Sequence, residues 1–369
     1  MTVGIDRVLS AAQRLGASDI HLKVGLPPIF RIKGDLRTVR DVPAITEQAL
    51  HAFADKLLSE RQREEFERLR EVDLAYNSPD NHRYRTNIFT QRGVMGMVLR
   101  LIPPEVPAFD SLGLPDVVKT LAAERRGLIL VTGITGSGKS TTLAAMIEHI
   151  NRTCAYHIVT VEDPIEYAFT DRRSVINQRE LGLDTTSFSR ALRAALRQDP
   201  DVILVGEMRD IETIEIAMLA AETGHLVLST LHTTDAVETV NRIISVFPGE
   251  RQLQARLQLA SVLRGVVSQR LLPRADGRGM APAIEVLINT ARVRELIEDR
   301  QRTMEIAQAI AEGRNPYGMM SFDASLTELV QARTVTYDTA LKNATNPDDF
   351  ALFFRGVADT SRWVNEGGG

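Results

Sequence analysis

The segment GITGSGKS at residues 133–140 constrains the fold of this chain more than any other part of it. It fits the pattern G-x-x-x-x-G-K-[ST], with the apolar run LILV before it and the helical run TTLAAMIEHI after it. Glycines let backbone N–H groups turn inward around phosphate oxygens, and the following helix N-terminus adds partial positive charge. The segment therefore predicts a strand, a phosphate-binding loop and a helix. The alternative is a glycine-rich turn that contains a lysine by chance.

Two side chains at the end of this pattern carry the expected chemistry. Lys139 would reach the β- and γ-phosphates of a nucleoside triphosphate, and the Ser140 hydroxyl would ligate Mg²⁺. We therefore predict a nucleoside triphosphate and Mg²⁺ as the species bound there. The predicted nucleotide-binding residues are Gly133, Thr135, Gly136, Ser137, Gly138, Lys139, Ser140 and Thr141.

Apolar runs and helical patterns alternate along the chain on both sides of this loop. The runs LILVTG, HIVTVED, VILVGE and HLVLST show little polar alternation, which is typical of strands buried on both faces of a parallel sheet. From about Gly249 the pattern becomes mainly helical, including RQLQARLQLASVLRGVVSQRLL, with a candidate hairpin at Ala281–Leu287. The predicted fold class is α/β.

The chain before residue 102 has a different pattern, in which strands and helices do not alternate strictly. One long charged helix is expected over residues 47–69, among several strand-like runs, which predicts an α+β domain at residues 1–101. The segment IPPEVPAFDSLGLP contains four prolines and predicts a linker at residues 102–115. A second domain is then expected at residues 116–369, with a helical part from about residue 249.

Composition excludes several classes of protein. Of the 369 residues, 44% are hydrophobic and 25% are charged, which excludes wholesale disorder. A net charge of −4 disfavours a nucleic-acid coat protein, and the single cysteine, Cys154, excludes an intrachain disulfide or a cysteine-rich zinc site. Apolar runs fall short of the ~20 residues of a membrane span, and the first residues do not resemble a signal peptide. We therefore expect a soluble cytoplasmic protein.

An acidic residue follows the apolar run in DVILVGEMRD. Glu207 stands near the carboxyl end of this predicted strand, where ligands of α/β sheets gather, so we predict that it is catalytic and supports Mg²⁺ together with Ser140. The alternative is an acid that caps the next helix, a role for which Asp210 is the better candidate.

A second acidic cluster, Glu162, Asp163 and Glu166, follows the apolar run in VTVEDPIEY. Pro164 ends the strand, and one carboxylate there could orient the water that attacks the γ-phosphoryl group. We predict Glu162 as this catalytic group; a solvated turn is the alternative.

Two histidines flank the run in TGHLVLSTLHTTDA. A neutral imidazole at a strand end can donate a hydrogen bond to a γ-phosphate oxygen and so report hydrolysis. We predict this role for His232 in preference to His225. A buried structural histidine is the alternative for either residue.

Taken together, GITGSGKS, VEDPIEY, VGEMRD and TGHLVLSTLHTTDA resemble the secretion-superfamily hexameric ATPases. Within that superfamily the chain is most similar to the type IV pilus retraction ATPases, the PilT twitching-motility family. The segments GASDIHLKVGLPPIFRIKG, HRYRTNIFTQRG, SVLRGVVSQRLLP and EGRNPYGMMSFDASL carry this closer resemblance, which runs from about Ile5 to Val357.

The resemblance implies a PAS-like N-terminal domain, a RecA-like P-loop ATPase domain with a helical C-terminal part, and a homohexameric ring. It implies an ATP-hydrolysing motor for pilus retraction and twitching motility. The motor would act at the cytoplasmic face of the inner membrane through a pilus platform protein, without direct contact with nucleic acid. In relatives, arginines of the N-terminal domain complete the nucleotide site in trans. The matching residues are Arg83, Arg85 and Arg100, for each of which a surface strand arginine is the alternative.

One segment departs from the family pattern, because relatives often have AIRNLIRE where this chain has RVRELIED at residues 292–299. This segment is tied to retraction in the family, so an accessory retraction role remains an alternative. A pilus assembly or type II secretion ATPase is another, although such relatives usually carry a four-cysteine zinc insertion. A nucleic-acid translocase on a RecA-type core would need an aromatic channel, but aromatic residues make up 5% of the chain and Trp363 is its one tryptophan. Glu162 and Glu207 argue against a non-hydrolysing scaffold.

Overall fold

The computed structural model describes residues 4–32, 34–39, 42–80, 82–103 and 105–354. The chain divides into two compact units, one comprising Met1–Glu105 with Glu166–Ala168 and the other Val106–Ile165 with Phe169–Gly369. The division after Glu105 lies within the segment for which the sequence predicts a linker. Trp363 and the end of the family resemblance at Val357 lie outside the described residues.

The first unit is an antiparallel sheet with helices on one face. Its helices are α1 (Ile5–Arg14), α2 (Glu47–Leu57) and α3 (Glu60–Leu69), and its strands are β1 (Ala17–Lys23), β2 (Ile29–Ile32), β3 (Asp35–Thr38), β4 (Glu71–Asn77), β5 (Arg83–Gln91) and β6 (Val94–Leu101). The strand order in the described part of this unit is β3-β2-β1-β6-β5-β4. Ile20, Ile88 and Leu99 are at most 1% exposed and belong to the core, so the alternate residues of these strands form the opposite, polar face.

The single helix predicted over residues 47–69 is wrong, because the structure has two helices there. Helix α2 ends at Leu57, and α3 begins after Ser59. The Ser59 hydroxyl accepts a hydrogen bond from the backbone N–H of Gln62, while the Gln62 side chain accepts one from the backbone N–H of Ser59 at 3.0 Å. Such a capping box satisfies donors that a continuous helix would pair internally, so it starts a new helix.

The second unit contains the phosphate-loop segment. Its helices are α4 (Asp116–Ala122), α5 (Lys139–Thr153), α6 (Phe188–Ala195), α7 (Ile211–Glu222), α8 (Ala236–Ser245), α9 (Gln252–Val262), α10 (Ala291–Glu298), α11 (Ile306–Glu312), α12 (Arg314–Tyr317), α13 (Phe322–Gln331), α14 (Tyr337–Asn343) and α15 (Pro347–Phe354). Its strands are β7 (Gly127–Thr132), β8 (His157–Glu162), β9 (Val175–Glu180), β10 (Val202–Val205), β11 (Leu226–Leu231), β12 (Leu263–Pro273) and β13 (Met280–Ile288).

The sheet of the second unit is parallel except at one edge. The strand order among its described residues is β13-β12-β7-β11-β10-β8-β9, and β13 alone runs antiparallel to its neighbour. Every residue of β7, β10 and β11 is buried, as expected for strands covered on both faces. None of the helices within the described ranges combines the length and the apolar character that crossing a membrane requires.

The helix predicted across RQLQARLQLASVLRGVVSQRLL is wrong in its second half. Helix α9 ends at Val262, and the remaining residues form β12, which pairs with β7 on one side and β13 on the other. Val266 and Val267 are β-branched and fully buried, which suits a central strand. A Cβ at Gly265 would lie 2.8 Å from the carbonyl oxygen of Leu287, so glycine permits the close approach of the two strands. The predicted hairpin at Ala281–Leu287 is the second strand of this pair.

Candidate nucleotide-binding and catalytic site

Four adjacent parallel strands of the second unit end at the same edge of the sheet and place the candidate residues there. The phosphate loop, residues 133–138, follows β7, and His232 follows β11. Glu207 follows β10 by two residues, and Glu162 is the last residue of β8. Ligands of open α/β sheets bind at the carboxyl ends of parallel strands. The structure therefore brings together the residues that the sequence selected from separate segments.

The phosphate loop has a backbone shape that requires glycine. Gly133 has φ +143°, and a Cβ there would lie 2.4 Å from the carbonyl oxygen of Gln269 and 2.5 Å from Oγ of Ser137. Gly136 and Gly138 also have positive φ, at +80° and +92°. Because the loop packs against the backbone of β12, a side chain at residue 133 would displace it. The cradle fits an oligophosphate, whose oxygens accept inward-pointing N–H donors.

Lys139 and Ser137 are the buried polar side chains of this loop. Nζ of Lys139 donates hydrogen bonds to the carbonyl oxygens of Gly133 at 2.8 Å and Ile134 at 3.0 Å, so the ammonium group lies inside the loop. Oγ of Ser137 is buried and has no hydrogen-bond partner among the described residues. Both observations fit a site made to receive phosphate oxygens. Ser140 and Thr141 are partly exposed in the first turn of α5.

Glu207 is held by two cationic or potentially cationic side chains. Its Oε2 lies 2.7 Å from Nη2 of Arg209, and its Oε1 lies 3.4 Å from Nε2 of His232. Burial acts to raise the pKa of Glu207, but the hydrogen bond from Arg209 and the nearby His232 together lower it below its ordinary value. Glu207 is therefore ionised at neutral pH. Sequence reasoning missed Arg209, although the segment VGEMRD contains it two residues after Glu207.

Glu162 is 9% exposed and is oriented by two donors. Its Oε1 accepts hydrogen bonds from Oγ1 of Thr160 at 2.6 Å and from Nε2 of Gln178 at 3.0 Å. Gln178 lies on β9, a strand that the sequence did not predict. The other two acids of the predicted cluster, Asp163 and Glu166, are exposed. Glu162 therefore differs from Asp163 and Glu166 in that its side chain is buried.

Two secondary interpretations of the sequence are decided by this geometry. Asp210 caps α7, since its carboxylate accepts a hydrogen bond from the backbone N–H of Thr213 at 2.8 Å; this prediction is confirmed. His225 precedes β11, at the end of the strand opposite to His232, and its Nδ1 lies 2.9 Å from the carbonyl oxygen of Ala220. His225 is therefore remote from the edge that carries the phosphate loop.

The protein donors near the loop suit magnesium better than a transition metal. In the part of the chain that the structure describes, no cluster of three or more histidine, cysteine, aspartate or glutamate side chains could hold a metal ion. Mg²⁺ commonly uses one or two protein oxygens and completes its shell with phosphate and water. The Ser140 hydroxyl and the Glu207 carboxylate are oxygen donors of this kind.

The three predicted arginines lie on the polar face of the first unit. Arg85 and Arg100 are directly opposite each other on β5 and β6. Nε of Arg100 donates a hydrogen bond to Oδ1 of the buried Asp19 at 2.8 Å. Arg83 precedes Arg85 by two residues on the same strand and so shares its face. A cavity of about 340 Å³ lies over Arg85, Arg100 and Asp73.

The sequence family described as type II/IV secretion system proteins matches residues 2–351, which is nearly the whole chain. The chain belongs to this family. Relatives of the chain include ATPases of both pilus and secretion systems. The family match spans the phosphate loop, both acidic candidates and His232.

Individual relatives narrow the comparison to pilus retraction. The chain is 43% identical over 346 residues to the type IV pilus retraction ATPase PilT of Pseudomonas aeruginosa, covering 94% of this chain and 99% of the relative. It is 42% identical over 325 residues to a twitching motility protein of Neisseria gonorrhoeae, covering 88% and 86% of the two chains. Its structure is similar to the crystal structure of the pilus retraction motor PilT with bound ADP, with a TM-score of 0.87, 45% identity and coverage of 94% and 98%.

These comparisons confirm three predictions made from the sequence. The chain is of the PilT retraction type, its fold combines an N-terminal domain with a RecA-like ATPase domain, and it is an ATPase. They also favour pilus retraction over pilus assembly, type II secretion and nucleic-acid translocation.

Proposed function

We propose that this chain is the ATP-hydrolysing motor subunit that drives type IV pilus retraction and thereby twitching motility. The observation that carries the proposal is the convergence of the phosphate loop, Glu162, Glu207 and His232 at one edge of a RecA-like sheet. The relatives named for pilus retraction and twitching motility indicate that the pilus is what the motor moves.

The phosphate loop binds the triphosphate of ATP. Backbone N–H groups of residues 133–138 surround the β-phosphate, while Lys139 exchanges its carbonyl partners for β- and γ-phosphate oxygens. Thr135 and Thr141 border the loop on its exposed side. Because Nζ of Lys139 lies inside the loop, it needs little movement to reach the phosphate oxygens.

The residues that would hold Mg²⁺ are Ser140, through its hydroxyl, and Glu207, through water. When bound, the ion neutralises charge on the β- and γ-phosphates and favours departure of ADP. Because Arg209 lowers the pKa of Glu207, this carboxylate stays ionised and available to orient a hydrated cation.

Glu162 orients the attacking water and accepts its proton. Thr160 and Gln178 donate to the same carboxylate oxygen, so they fix the plane of the carboxyl group. A base held in one orientation near an in-line water lowers the entropy cost of reaching the transition state. His232 lies beside Glu207 and contacts the γ-phosphate, so loss of that phosphate changes the partners of the imidazole.

Six subunits form a ring in which Arg83, Arg85 and Arg100 act in trans on a neighbouring subunit's nucleotide. A guanidinium is permanently charged and offers forked donors that match phosphate. The bond between Arg100 and Asp19 would have to open or shift for Arg100 to serve in this way.

The proposed moving parts are the domains at residues 1–101 and 116–369, joined by the linker at residues 102–115.

The ring acts at the cytoplasmic face of the inner membrane, where a pilus platform protein connects it to the fibre.

The test of this proposal uses both purified protein and cells. We expect the wild-type chain with Mg-ATP to hydrolyse ATP as a particle of about six times 40.9 kDa by light scattering. In cells lacking the gene, wild type and the control Lys56→Ala should restore twitching, whereas Lys139→Ala should not. The proposal would be contradicted if Lys139→Ala restored twitching. It would also be contradicted if cells lacking the gene could no longer assemble pili.

A further inference from the structure

Glu285 lies on β13 and reaches the first turn of α8. Its Oε1 accepts a hydrogen bond from the backbone N–H of Ala236, at an N···O distance of 2.8 Å. The first N–H groups of a helix have no partner within that helix. Ala236 is fully buried, so its N–H would otherwise lack solvent as a partner. Glu285 thus accepts a hydrogen bond from a backbone N–H that has no acceptor within α8.

The segment immediately before α8 is residues 232–235, here called the histidine loop because it begins with His232. Two residues of the histidine loop, Thr234 and Asp235, are hydrogen-bonded to the first turn of α8. The Asp235 carboxylate accepts from the backbone N–H of Glu238 at 2.8 Å, and the backbone N–H of Thr234 donates to Oε2 of Glu238 at 2.7 Å. We therefore expect the histidine loop and the first turn of α8 to move as one rigid unit. The hydrogen bond to Glu285 attaches this unit to strand β13 of the sheet.

We propose that Glu285 is a positioning residue for ATP hydrolysis, which anchors the first turn of α8 and thereby fixes His232 beside Glu207. The proposal rests on the proposed role of His232. It assigns to Glu285 no contact with the nucleotide.

The surroundings of Glu285 connect this anchor to the C-terminal helices. Arg270 lies on the same face of the β12–β13 pair, where its Nη1 donates to the carbonyl oxygen of Asn343 at 2.6 Å and its guanidinium lies 3.9 Å from the ring centroid of Phe322. Burial raises the pKa of Glu285 to about 7; Asp235 and Asp323 contribute to the rise, while the Ala236 N–H and Arg270 oppose it. Glu285 therefore titrates near neutral pH. Its charged form is the stronger acceptor at a helix N-terminus.

The experiment measures kcat and KM for ATP on the full chain between pH 5.5 and 8.5. For Glu285→Leu we expect kcat about tenfold lower, the effect of losing one hydrogen bond to a charged group, with KM for ATP within about twofold of wild type. Glu285→Gln keeps an acceptor oxygen and should retain kcat within about threefold, without the rise in kcat as pH increases through about 7. Glu250→Leu, at an exposed position, is the matched control and should behave as wild type. Unchanged kcat in Glu285→Leu overturns the proposal.

A second variant does not disturb the anchor itself. Asp323→Asn removes a charge that raises the pKa of Glu285, while its amide oxygen still accepts the backbone N–H of Thr345. The proposal expects the inflection in kcat to move to lower pH in this variant. A profile identical to that of wild type contradicts it.

A double-mutant cycle separates this proposal from the proposed role of His232. If Glu285 acts through His232, Glu285→Leu should lower kcat in the wild-type background and have little further effect in His232→Ala. An undiminished tenfold effect in the His232→Ala background overturns the positioning role and leaves the role of His232 intact. Wild-type kcat in His232→Ala itself contradicts the role of His232, and any loss in Glu285→Leu would then act by another route.

Discussion

His232 and Glu207 lie within reach of each other, with Nε2 of the histidine 3.4 Å from Oε1 of the glutamate. They follow neighbouring strands of the parallel sheet, β11 and β10. The second oxygen of Glu207 is paired with Arg209 at 2.7 Å. One carboxylate therefore connects an imidazole and a guanidinium at the edge that carries the phosphate loop.

Replacing Arg209 by methionine should lower the stability of the fold at neutral pH and make that stability less dependent on acid. In wild type the folded-state pKa of Glu207 is below 4.5, so its ionisation stabilises the fold above that pH, and the contribution is lost as pH falls through the lowered pKa. Without Arg209 the pKa of Glu207 rises, so the variant lacks the stability that ionised Glu207 adds at neutral pH and loses less stability than wild type as the pH falls. Urea unfolding at intervals between pH 3 and 7 measures the difference. Arg37→Met, at an exposed surface pair, is the control, and equal acid dependence in all three proteins would contradict the prediction.

Lys139→Ala should lose tight ATP binding while the protein remains folded. The ammonium lies inside the phosphate loop, where it supplies the charge that meets the β- and γ-phosphates. Titration calorimetry with ATP measures the change, with circular dichroism to verify the fold. Lys56→Ala, an exposed lysine paired with Asp6, should bind as wild type. Micromolar affinity retained by Lys139→Ala would refute this assignment.

Glu162→Gln should bind ATP normally but hydrolyse it at least about a hundredfold more slowly, the lower end of the effect of removing a general base. The amide keeps the hydrogen-bonding shape at residue 162 but cannot accept a proton. A phosphate-release assay gives kcat, and nucleotide titration gives the affinity. Glu166→Gln, at an exposed acid four residues away, should keep full turnover. Unchanged turnover in Glu162→Gln would transfer the role of base to Glu207.

Gly133→Ala should destabilise the protein more than Gly136→Ala does. A Cβ at residue 133 meets the backbone of Gln269 at 2.4 Å, whereas a Cβ at residue 136 has nothing within 4 Å. Gly136→Ala carries only the strain of positive φ, about 1–2 kcal/mol. The free energy of unfolding should be lower in Gly133→Ala by about a further 2 kcal/mol or more. Equal losses in the two variants would mean that the loop relaxes away from β12.

Arg85→Ala should reduce ATP turnover while subunit folding and particle mass stay the same. Arg85 is exposed on the polar face of the first unit, so its loss leaves no cavity in the core. A sharper measurement is the activity of rings that mix Arg85→Ala subunits with Glu162→Gln subunits. If Arg85 acts in trans, the two defects fall at different sites, and some sites combine an intact Glu162 with an intact Arg85. Wild-type turnover of Arg85→Ala alone would exclude it as a shared-site residue.

The sequence selected residues that the structure places at one edge of the sheet, but it misassigned two of the helices. A glycine-rich loop between a buried strand and a helix has few structural solutions, and acids at strand ends of a parallel sheet necessarily share an edge. The supporting residues were missed because their partners are distant in sequence. Gln178 orients Glu162 from a strand of alternating exposure, and Glu285 reaches Ala236 from the antiparallel edge strand.

Strand β12 shows why some local patterns mislead. LRGVVSQRLL continues the helical spacing of α9, and its β-branched pair Val266–Val267 is a weaker signal than that periodicity. Burial between β7 and β13 decides the conformation, and this is a long-range effect. The two helices at residues 47–69 differ from the predicted single helix for the opposite reason, since Ser59 and Gln62 signal the break locally.

The contact between Gly133 and the backbone of Gln269 makes the nucleotide site a check on the completeness of the polypeptide. The loop is early in the second unit, but the wall that shapes it comes from a strand more than a hundred residues later. A nascent chain therefore lacks this wall of the loop until β12 has been synthesised, and a subunit truncated before residue 263 never acquires it. We expect such subunits to bind ATP poorly, and a motor that assembles in the nucleotide-bound state would discriminate against them.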